Sequence, residues 1–223
     1  MRMRRKKNLD ERVSEVRPYL LWADTDILDS RQAIEDKRYV DLSCFDFSRP
    51  LVLELGCGKG KFALEYTEKY PLQNYLAIEK LTNVIIVGSE EAKELKRDNL
   101  RFLCTGAEYL QRFLPPKIVD KIIINFPCPL HKETYHEKRL TDKRFLAIYD
   151  ELLKEGGEIF LKTDNARMFA YSIEQMSAYG LLMDEVTLDL HNSPYNADNI
   201  VTEYESKYIE QGLPIYRLRA RRR

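Results

Sequence analysis

Short apolar runs alternate with segments of helical spacing along most of the chain. Runs such as Leu51–Leu55 predict strands, and the isoleucines of Lys121–Phe126 predict a strand that is buried on both faces. The predicted strands are Leu51–Leu55, Tyr75–Ile78, Leu100–Cys104, Lys121–Phe126, Glu158–Lys162, Leu181–Leu190 and Ile215–Leu218. The predicted helices between them are Lys61–Lys69, Thr82–Leu95, Arg144–Leu153 and Ala166–Tyr179. This alternation predicts a Rossmann-like α/β fold, with a seven-stranded, mostly parallel sheet and helices on both faces.

Local signals predict where some of these elements begin and end. Thr82 is a candidate N-cap, and Gly156-Gly157 is a candidate C-cap of the helix before it. Leu9–Trp22 is polar with scattered apolar residues and suits an arm or a short helix. No linker or repeat interrupts the rest. We therefore expect a basic arm over residues 1–22 and one domain over residues 23–223.

The composition narrows the class of protein. The 223 residues contain no run of eighteen apolar residues, and no apolar segment follows the basic N-terminus, so we expect neither a membrane span nor a secretory signal. The four cysteines form no C-x-x-C pair, as is typical of reduced thiols. These features predict a cytoplasmic protein.

Charge is distributed unevenly along the chain. The formal net charge is zero, but residues 1–7 and residues 217–223 each carry five cations and no acid, so the body between them has ten more acids than cations. Two basic ends on an acidic body suit arms that contact nucleic-acid phosphates. Solvated tails without a partner are the alternative that charge alone leaves open.

The segment Leu51-Val-Leu-Glu-Leu-Gly-Cys-Gly-Lys-Gly60 predicts a nucleotide-like ligand. An apolar strand here ends in an acid and three alternating glycines, which permit a tight turn and a close approach of the ligand to the backbone. Glu79 follows where the next parallel strand ends, within reach of a ribose diol. The glycine spacing matches neither the dinucleotide fingerprint nor a P-loop, because Lys61 and Phe62 stand at the deciding positions. The pattern indicates an adenosine cofactor; a plain tight βα turn is the alternative.

Further motifs follow the predicted strand ends. They are Met1-Arg-Met-Arg4, Asn125-Phe-Pro-Cys-Pro129, Lys138-Arg-Leu-Thr141, Lys162-Thr-Asp-Asn165, Thr202-Glu-Tyr-Glu205 and Gly212-Leu-Pro-Ile-Tyr-Arg217. With the glycine turn, and in this order, they resemble the bacterial tRNA (guanine-N7-)-methyltransferases over nearly the whole chain. That family consists of class I enzymes that depend on S-adenosylmethionine.

The resemblance implies transfer of a methyl group from S-adenosylmethionine to N7 of guanosine 46 in the tRNA variable loop, with S-adenosylhomocysteine as product. It implies a monomer or homodimer that binds tRNA and uses no metal. The implied cofactor-binding residues are Glu54, Gly56, Gly58, Gly60, Glu79, Gly106 and Cys128. The implied substrate-binding residues are Lys132, Asp164, Thr202, Glu203, Tyr204 and Glu205. Capping of a helix by Asp164 and a solvated helix start at Glu203 and Glu205 are the structural alternatives.

The loop after the fourth predicted strand differs from the family. Cys128 stands at the position of the family's aspartate beside the cofactor, while Leu130 and His131 replace Trp and Pro. Gly106 stands where the third strand usually offers an acid, although Glu108 is close by. A neutral thiol cannot supply the missing negative charge.

Several hypotheses therefore compete. In the first, catalysis survives because positioning dominates and Asp164 or Glu205 supplies the charge. In the second, the chain is a tRNA-binding homologue with weakened or lost catalysis. In the third, the altered loop serves a different base or substrate. A non-enzymatic RNA-binding module and a small-molecule methyltransferase are alternatives of other classes. Zinc at Cys128, His131 and His136 is disfavoured, because the spacing offers only three candidate ligands.

Overall fold

The computed structural model describes residues 6–22 and 37–222, apart from the side chains of Trp22, Glu133 and Glu203. Residues 1–5, which are most of the first basic run, lie outside the described residues, as does Arg223 of the second basic run. The chain forms two compact units, Met1–Pro115 and Pro116–Arg223. The predicted division into an arm and one domain stays a prediction.

The first unit contains four parallel strands in the order β1-β4-β3-β2. Its elements are α1 (Leu9–Glu15), β1 (Leu20–Trp22), β2 (Leu51–Leu55), α2 (Lys61–Lys69), β3 (Asn74–Ile78), α3 (Thr82–Glu94), β4 (Leu100–Cys104) and α4 (Leu110–Phe113), with a 3-10 turn at Ala107–Tyr109. Every residue of β2, β3 and β4 is buried. These strands therefore hold the core of the unit and place the β2–α2 turn at their carboxyl ends.

The predicted start of α3 needs a correction. Leu81, not Thr82, occupies the N-cap position, and no side chain caps the helix there. The Thr82 hydroxyl instead lies 3.4 Å from the Cys104 thiol on β4. The Thr82 hydroxyl, which the local sequence predicts to cap the helix, makes this tertiary contact instead.

The second unit contains four strands in the order β5-β6-β8-β7. Its elements are β5 (Val119–Asn125), a 3-10 segment (Glu133–Lys138), α5 (Lys143–Leu152), β6 (Leu153–Thr163), α6 (Ala166–Ala178), β7 (Leu182–Thr187), a 3-10 turn (Pro194–Asn196), α7 (Glu203–Glu210) and β8 (Tyr216–Arg221). Strands β5 and β6 are parallel, whereas β8 runs antiparallel to both β6 and β7. The isoleucines of β5 are buried, as predicted.

Gly156-Gly157 does not end α5, contrary to the prediction. The helix ends at Leu152, and β6 begins at the next residue. Val119 pairs with Leu153 while Lys121 pairs with Glu158, so the intervening residues of β6 bulge out of the ladder. Gly156 takes φ +72° in this bulge, a conformation that glycine adopts without strain.

The described residues contain eight strands, one more than predicted. The additional strand, β1, lies in the predicted arm and pairs in parallel with β4 from Leu20 opposite Phe102 to Trp22 opposite Cys104. The α/β class with mostly parallel strands is confirmed. No helix among the described residues is long and apolar enough to cross a membrane.

The second basic run differs from the expected phosphate-contacting arm. Arg217, Arg219 and Arg221 lie on β8. They make ion pairs with acids of the neighbouring strands, among them Asp184 and Glu185 on β7. Most of the charge of this run is therefore neutralised within the sheet.

Candidate active site

The glycine turn after β2 is anchored to the end of β3. The backbone N–H groups of Gly56 and Cys57 both donate to the Ile78 carbonyl oxygen, each over 2.9 Å. Gly56 and Gly58 have φ angles of +78° and +58°, and a Cβ added to either would meet no atom within 4 Å. The turn therefore exposes bare backbone beside open space, as a closely approaching ligand requires.

Gly60, in the same turn, is required for packing. A Cβ there would lie 2.8 Å from the Phe102 ring and 3.1 Å from the Gly88 Cα on α3, and φ is +82°. A Cβ on Gly88 would in turn lie 2.6 Å from the Lys59 carbonyl oxygen. Glycine at 60 and 88 thus lets the turn pack directly on α3.

Glu54 is buried beneath this turn. Its side chain is only 2% exposed, and the Tyr75 hydroxyl donates to its Oε2 atom over 3.1 Å. Burial raises the pKa of Tyr75 far above its ordinary value, and the Glu54 carboxylate adds to the rise. Burial likewise raises the pKa of the Cys57 thiol, with smaller contributions from Glu54 and Glu79. Tyr75 and Cys57 therefore stay neutral near Glu54.

Two further acids lie at the carboxyl ends of β3 and β4. Glu79 is half-buried directly after β3, and its Oε1 atom accepts from the Leu81 N–H over 3.1 Å. Gly106 follows β4, and a Cβ added to it would lie 2.4 Å from Glu108 Oε2. The Glu108 carboxylate thus lies where a side chain at position 106 would begin.

In the second unit, Arg139 holds the loop that follows β5. The buried Arg139 guanidinium donates to the carbonyl oxygens of Pro129 and Leu130 over 3.1 and 3.2 Å and stacks over the Tyr171 ring at 4.4 Å. This clamp flanks Cys128, which is exposed with a free thiol. Lys132, farther along the loop, is also exposed, and its ammonium is available to solvent.

Asp164 does not cap α6, which removes one structural alternative. Asn165 is the N-cap, and its side chain accepts from the Met168 N–H over 2.9 Å. Asp164 is half-buried just after β6, and the Tyr208 hydroxyl donates to its Oδ2 atom over 2.7 Å.

Thr202 and Glu205 form a capping box at the start of α7. The Thr202 hydroxyl accepts from the Glu205 N–H, and Glu205 Oε2 accepts from the Thr202 N–H. Between them, Tyr204 is 45% exposed, and the Glu203 side chain lies outside the described residues. Tyr204 is therefore the described side chain of this segment that faces solvent.

The Glu205 carboxylate is fully buried, and both of its oxygens are occupied by partners within the chain. Its Oε2 atom accepts from Lys162 over 2.7 Å, and its Oε1 atom contacts Asn199 and His191 at 2.7 and 2.9 Å. Burial alone would raise the pKa of Glu205, but the Lys162 charge and these hydrogen bonds outweigh burial and lower the pKa. Glu205 therefore holds α7 against Lys162 on β6, and Thr202 and Glu205 together stabilise the first turn of the helix.

Comparison with known proteins identifies the family. The family described as "Putative methyltransferase" matches residues 48–218. The tRNA (guanine-N(7)-)-methyltransferase of Pediococcus pentosaceus is 39% identical over 176 residues, covering 79% of this chain and 83% of the relative. That of Halalkalibacterium halodurans is 41% identical over 177 residues, covering 79% of this chain and 80% of the relative. This chain belongs to the tRNA (guanine-N7-)-methyltransferase family.

The solved structure of the 16S rRNA methyltransferase KamB has the same fold as this chain, with a TM-score of 0.60 and 13% sequence identity. The match covers 80% of this chain and 89% of KamB. Within the described residues, no group of three His, Cys, Asp or Glu side chains is placed to hold a metal ion.

Sequence reasoning missed Lys162 and Tyr208 as partners of the predicted site residues. A signal existed for the capping box, since Thr-x-x-Glu is its sequence signature. No local signal pairs Lys162 with Glu205 or Tyr208 with Asp164, because each contact joins β6 or its end to a distant helix.

Proposed function

We propose that the protein transfers the methyl group of S-adenosylmethionine to N7 of guanosine 46 in the tRNA variable loop. The observation that carries this proposal is the identity of about 40% with tRNA (guanine-N(7)-)-methyltransferases over four fifths of the chain. The substrate and the position on it are inferred for this chain from that membership and from its motifs.

The first unit supplies residues that fit the cofactor. Gly56 and Gly58 present backbone beside open space, and Gly60 fixes the turn. Glu79 would accept hydrogen bonds from the ribose hydroxyls, and Glu54 would lie at the amino-acid end. Gly106 contributes backbone, and Glu108 supplies the nearby acid. When bound, S-adenosylmethionine supplies a methyl group on a positively charged sulfur.

The acceptor nitrogen demands little acid–base chemistry from the chain. N7 of neutral guanine already carries a lone pair, so its activation needs no general base. The chain must hold that atom in line with the methyl group, an effect worth several kcal/mol. Positive charge grows on the purine as the bond forms, and a carboxylate nearby stabilises that charge.

The second unit supplies residues that fit the acceptor. Asp164 is the charged group that we assign to the guanine edge, because Glu205 is enclosed by its own partners. Tyr204 offers an exposed ring and Lys132 an exposed ammonium for a phosphate. Cys128 lies on the same loop as Lys132 and offers no carboxylate, so the site depends on positioning and on Asp164 for charge.

Nucleoside mass spectrometry tests the proposal in the host. Cells that lack the protein should lose 7-methylguanosine from position 46 of their tRNA, and restoring the gene should return it. Retention of the modification at position 46 without the protein would overturn the proposal.

A further inference from the structure

A chain of two tyrosine hydroxyls ends on Asp164. The Tyr208 hydroxyl donates to Asp164 Oδ2 over 2.7 Å, and the Tyr204 hydroxyl lies 3.0 Å from that of Tyr208. The two tyrosine rings lie one helical turn apart on α7, with centroids 5.2 Å apart. Tyr204 also packs on Phe126, at a centroid distance of 5.0 Å.

Helix α7 is held firmly enough to act as a support. The buried Lys162–Glu205 ion pair joins β6 to α7, and the capping box fixes the first turn. Glu205 and Tyr208 lie three residues apart on α7, while their partners Lys162 and Asp164 lie two residues apart at the end of β6. Two contacts thus fix this helix relative to Asp164.

The Tyr208 contact uses only half of the Asp164 carboxylate. Among the residues that the structure describes, none donates to Oδ1, whereas Oδ2 accepts from Tyr208. Hydrogen bonds with Tyr204 and Asp164 raise the pKa of Tyr208, so its hydroxyl keeps the donated proton at neutral pH. Guanine carries two hydrogen-bond donors on one edge, N1–H and the 2-amino group. A carboxylate oxygen that is held in place can accept a hydrogen bond from this edge.

We propose that Tyr208 is a positioning residue that fixes the Asp164 carboxylate, so that Oδ1 faces the donor edge of the acceptor guanine and selects that base. The inference rests on the proposed function, with Asp164 as the acceptor of the guanine donors. Without the hydroxyl, the carboxylate is free to rotate and the preference for a base with a 2-amino group weakens.

The test compares two tRNA transcripts, one with guanosine and one with inosine at the acceptor position. Inosine lacks only the 2-amino group. For the unaltered protein we expect kcat/KM to be about tenfold higher on guanosine, because a hydrogen bond to a charged group is lost on inosine. Tyr208→Phe keeps the ring and should lower kcat/KM on guanosine about tenfold, and the ratio should fall to about two.

Controls separate positioning from general damage. Tyr195→Phe makes the same chemical change on a tyrosine that packs beneath Arg217 on β8, and it should keep the tenfold ratio. In an Asp164→Asn background, Tyr208→Phe should have no further effect, since the two residues act as one unit. In Tyr208→Phe the Tm should fall by only a few degrees, because the Lys162–Glu205 pair and the capping box still hold α7. The Kd for S-adenosylmethionine should not change.

An unchanged ratio in Tyr208→Phe would overturn the inference and leave the proposed function standing. Additive effects of Tyr208→Phe and Asp164→Asn would also overturn it. If the unaltered protein methylates neither transcript, the proposed function fails and the inference fails with it.

Discussion

The Lys162 ammonium lies 2.7 Å from Glu205 Oε2, and both side chains are buried. Asn199 and His191 complete the shell around the carboxylate. The pair joins the end of β6, which leads to Asp164, to the helix that carries Tyr204. A buried charge pair here therefore sets the geometry of the proposed acceptor site.

Glu205→Gln should destabilise the protein by about 3 kcal/mol, because it leaves the Lys162 charge buried without its counter-ion. The pKa of Glu205 is lowered in the folded state. Its contribution is therefore complete above its unfolded pKa of about 4.3 and is lost as pH falls through the folded value. Urea unfolding at pH 7 and at stepwise lower pH measures both effects.

Glu210→Gln is the matched control, since Glu210 is exposed on the same helix. It should change the free energy of unfolding by less than about 0.5 kcal/mol. Equal stability of Glu205→Gln and the unaltered protein at pH 7 would contradict the structural role of the pair.

Two alanine variants of the glycine turn should distinguish a glycine that is needed for packing, Gly60, from one that is needed for close approach of the cofactor, Gly56. The Gly60 variant should lose about 3 kcal/mol of stability, because the added Cβ meets Phe102 and φ is positive. The Gly56 variant should lose only about 1 kcal/mol, since its Cβ points into open space. The Gly56 variant should nevertheless bind S-adenosylmethionine at least tenfold more weakly by calorimetry. Normal affinity in Gly56→Ala would place the cofactor elsewhere.

The sequence predicts the first unit well because its signals there are local. The bounds of β2 and α2 match the prediction at every residue, since a continuous apolar run meets a glycine turn. Strand β1 was missed because three residues are too few to show a period, and its pairing with β4 is a tertiary effect.

The sequence predicts the second unit less well, because tertiary contacts decide more of its structure. Arginines at 217, 219 and 221 alternate with the buried Leu218 and Ala220, a period-two signal that the charge of the run obscured. Two adjacent glycines suit a helix end and a bulge equally well, and only strand pairing decides between them. The burial of Glu205 depends on Lys162 and His191, which no spacing rule connects to it.

Glu108→Ala should weaken S-adenosylmethionine binding about tenfold, because the Glu108 carboxylate lies where a side chain at Gly106 would begin. Adding Gly106→Asp to Glu108→Ala should restore most of the affinity by returning an acid to the same place. Calorimetry measures both variants. Unchanged affinity in Glu108→Ala would remove Glu108 from the cofactor site.

Cys128→Asp should change the single-turnover rate of methyl transfer by less than about tenfold. Positioning supplies most of the acceleration in our account, and Asp164 supplies the charge. Cys44→Asp is the matched control, because Cys44 is the other exposed thiol among the described cysteines. Near-zero activity of the unaltered protein and a large gain in Cys128→Asp would instead indicate a tRNA-binding homologue with lost catalysis.

The most direct test is methylation of an unmodified tRNA transcript by the purified protein with S-adenosylmethionine, followed by mapping of 7-methylguanosine. We predict one methyl group per tRNA, on N7 of guanosine 46, and none on a transcript with adenosine at that position. Absence of 7-methylguanosine, or its appearance at another nucleotide, would contradict the account.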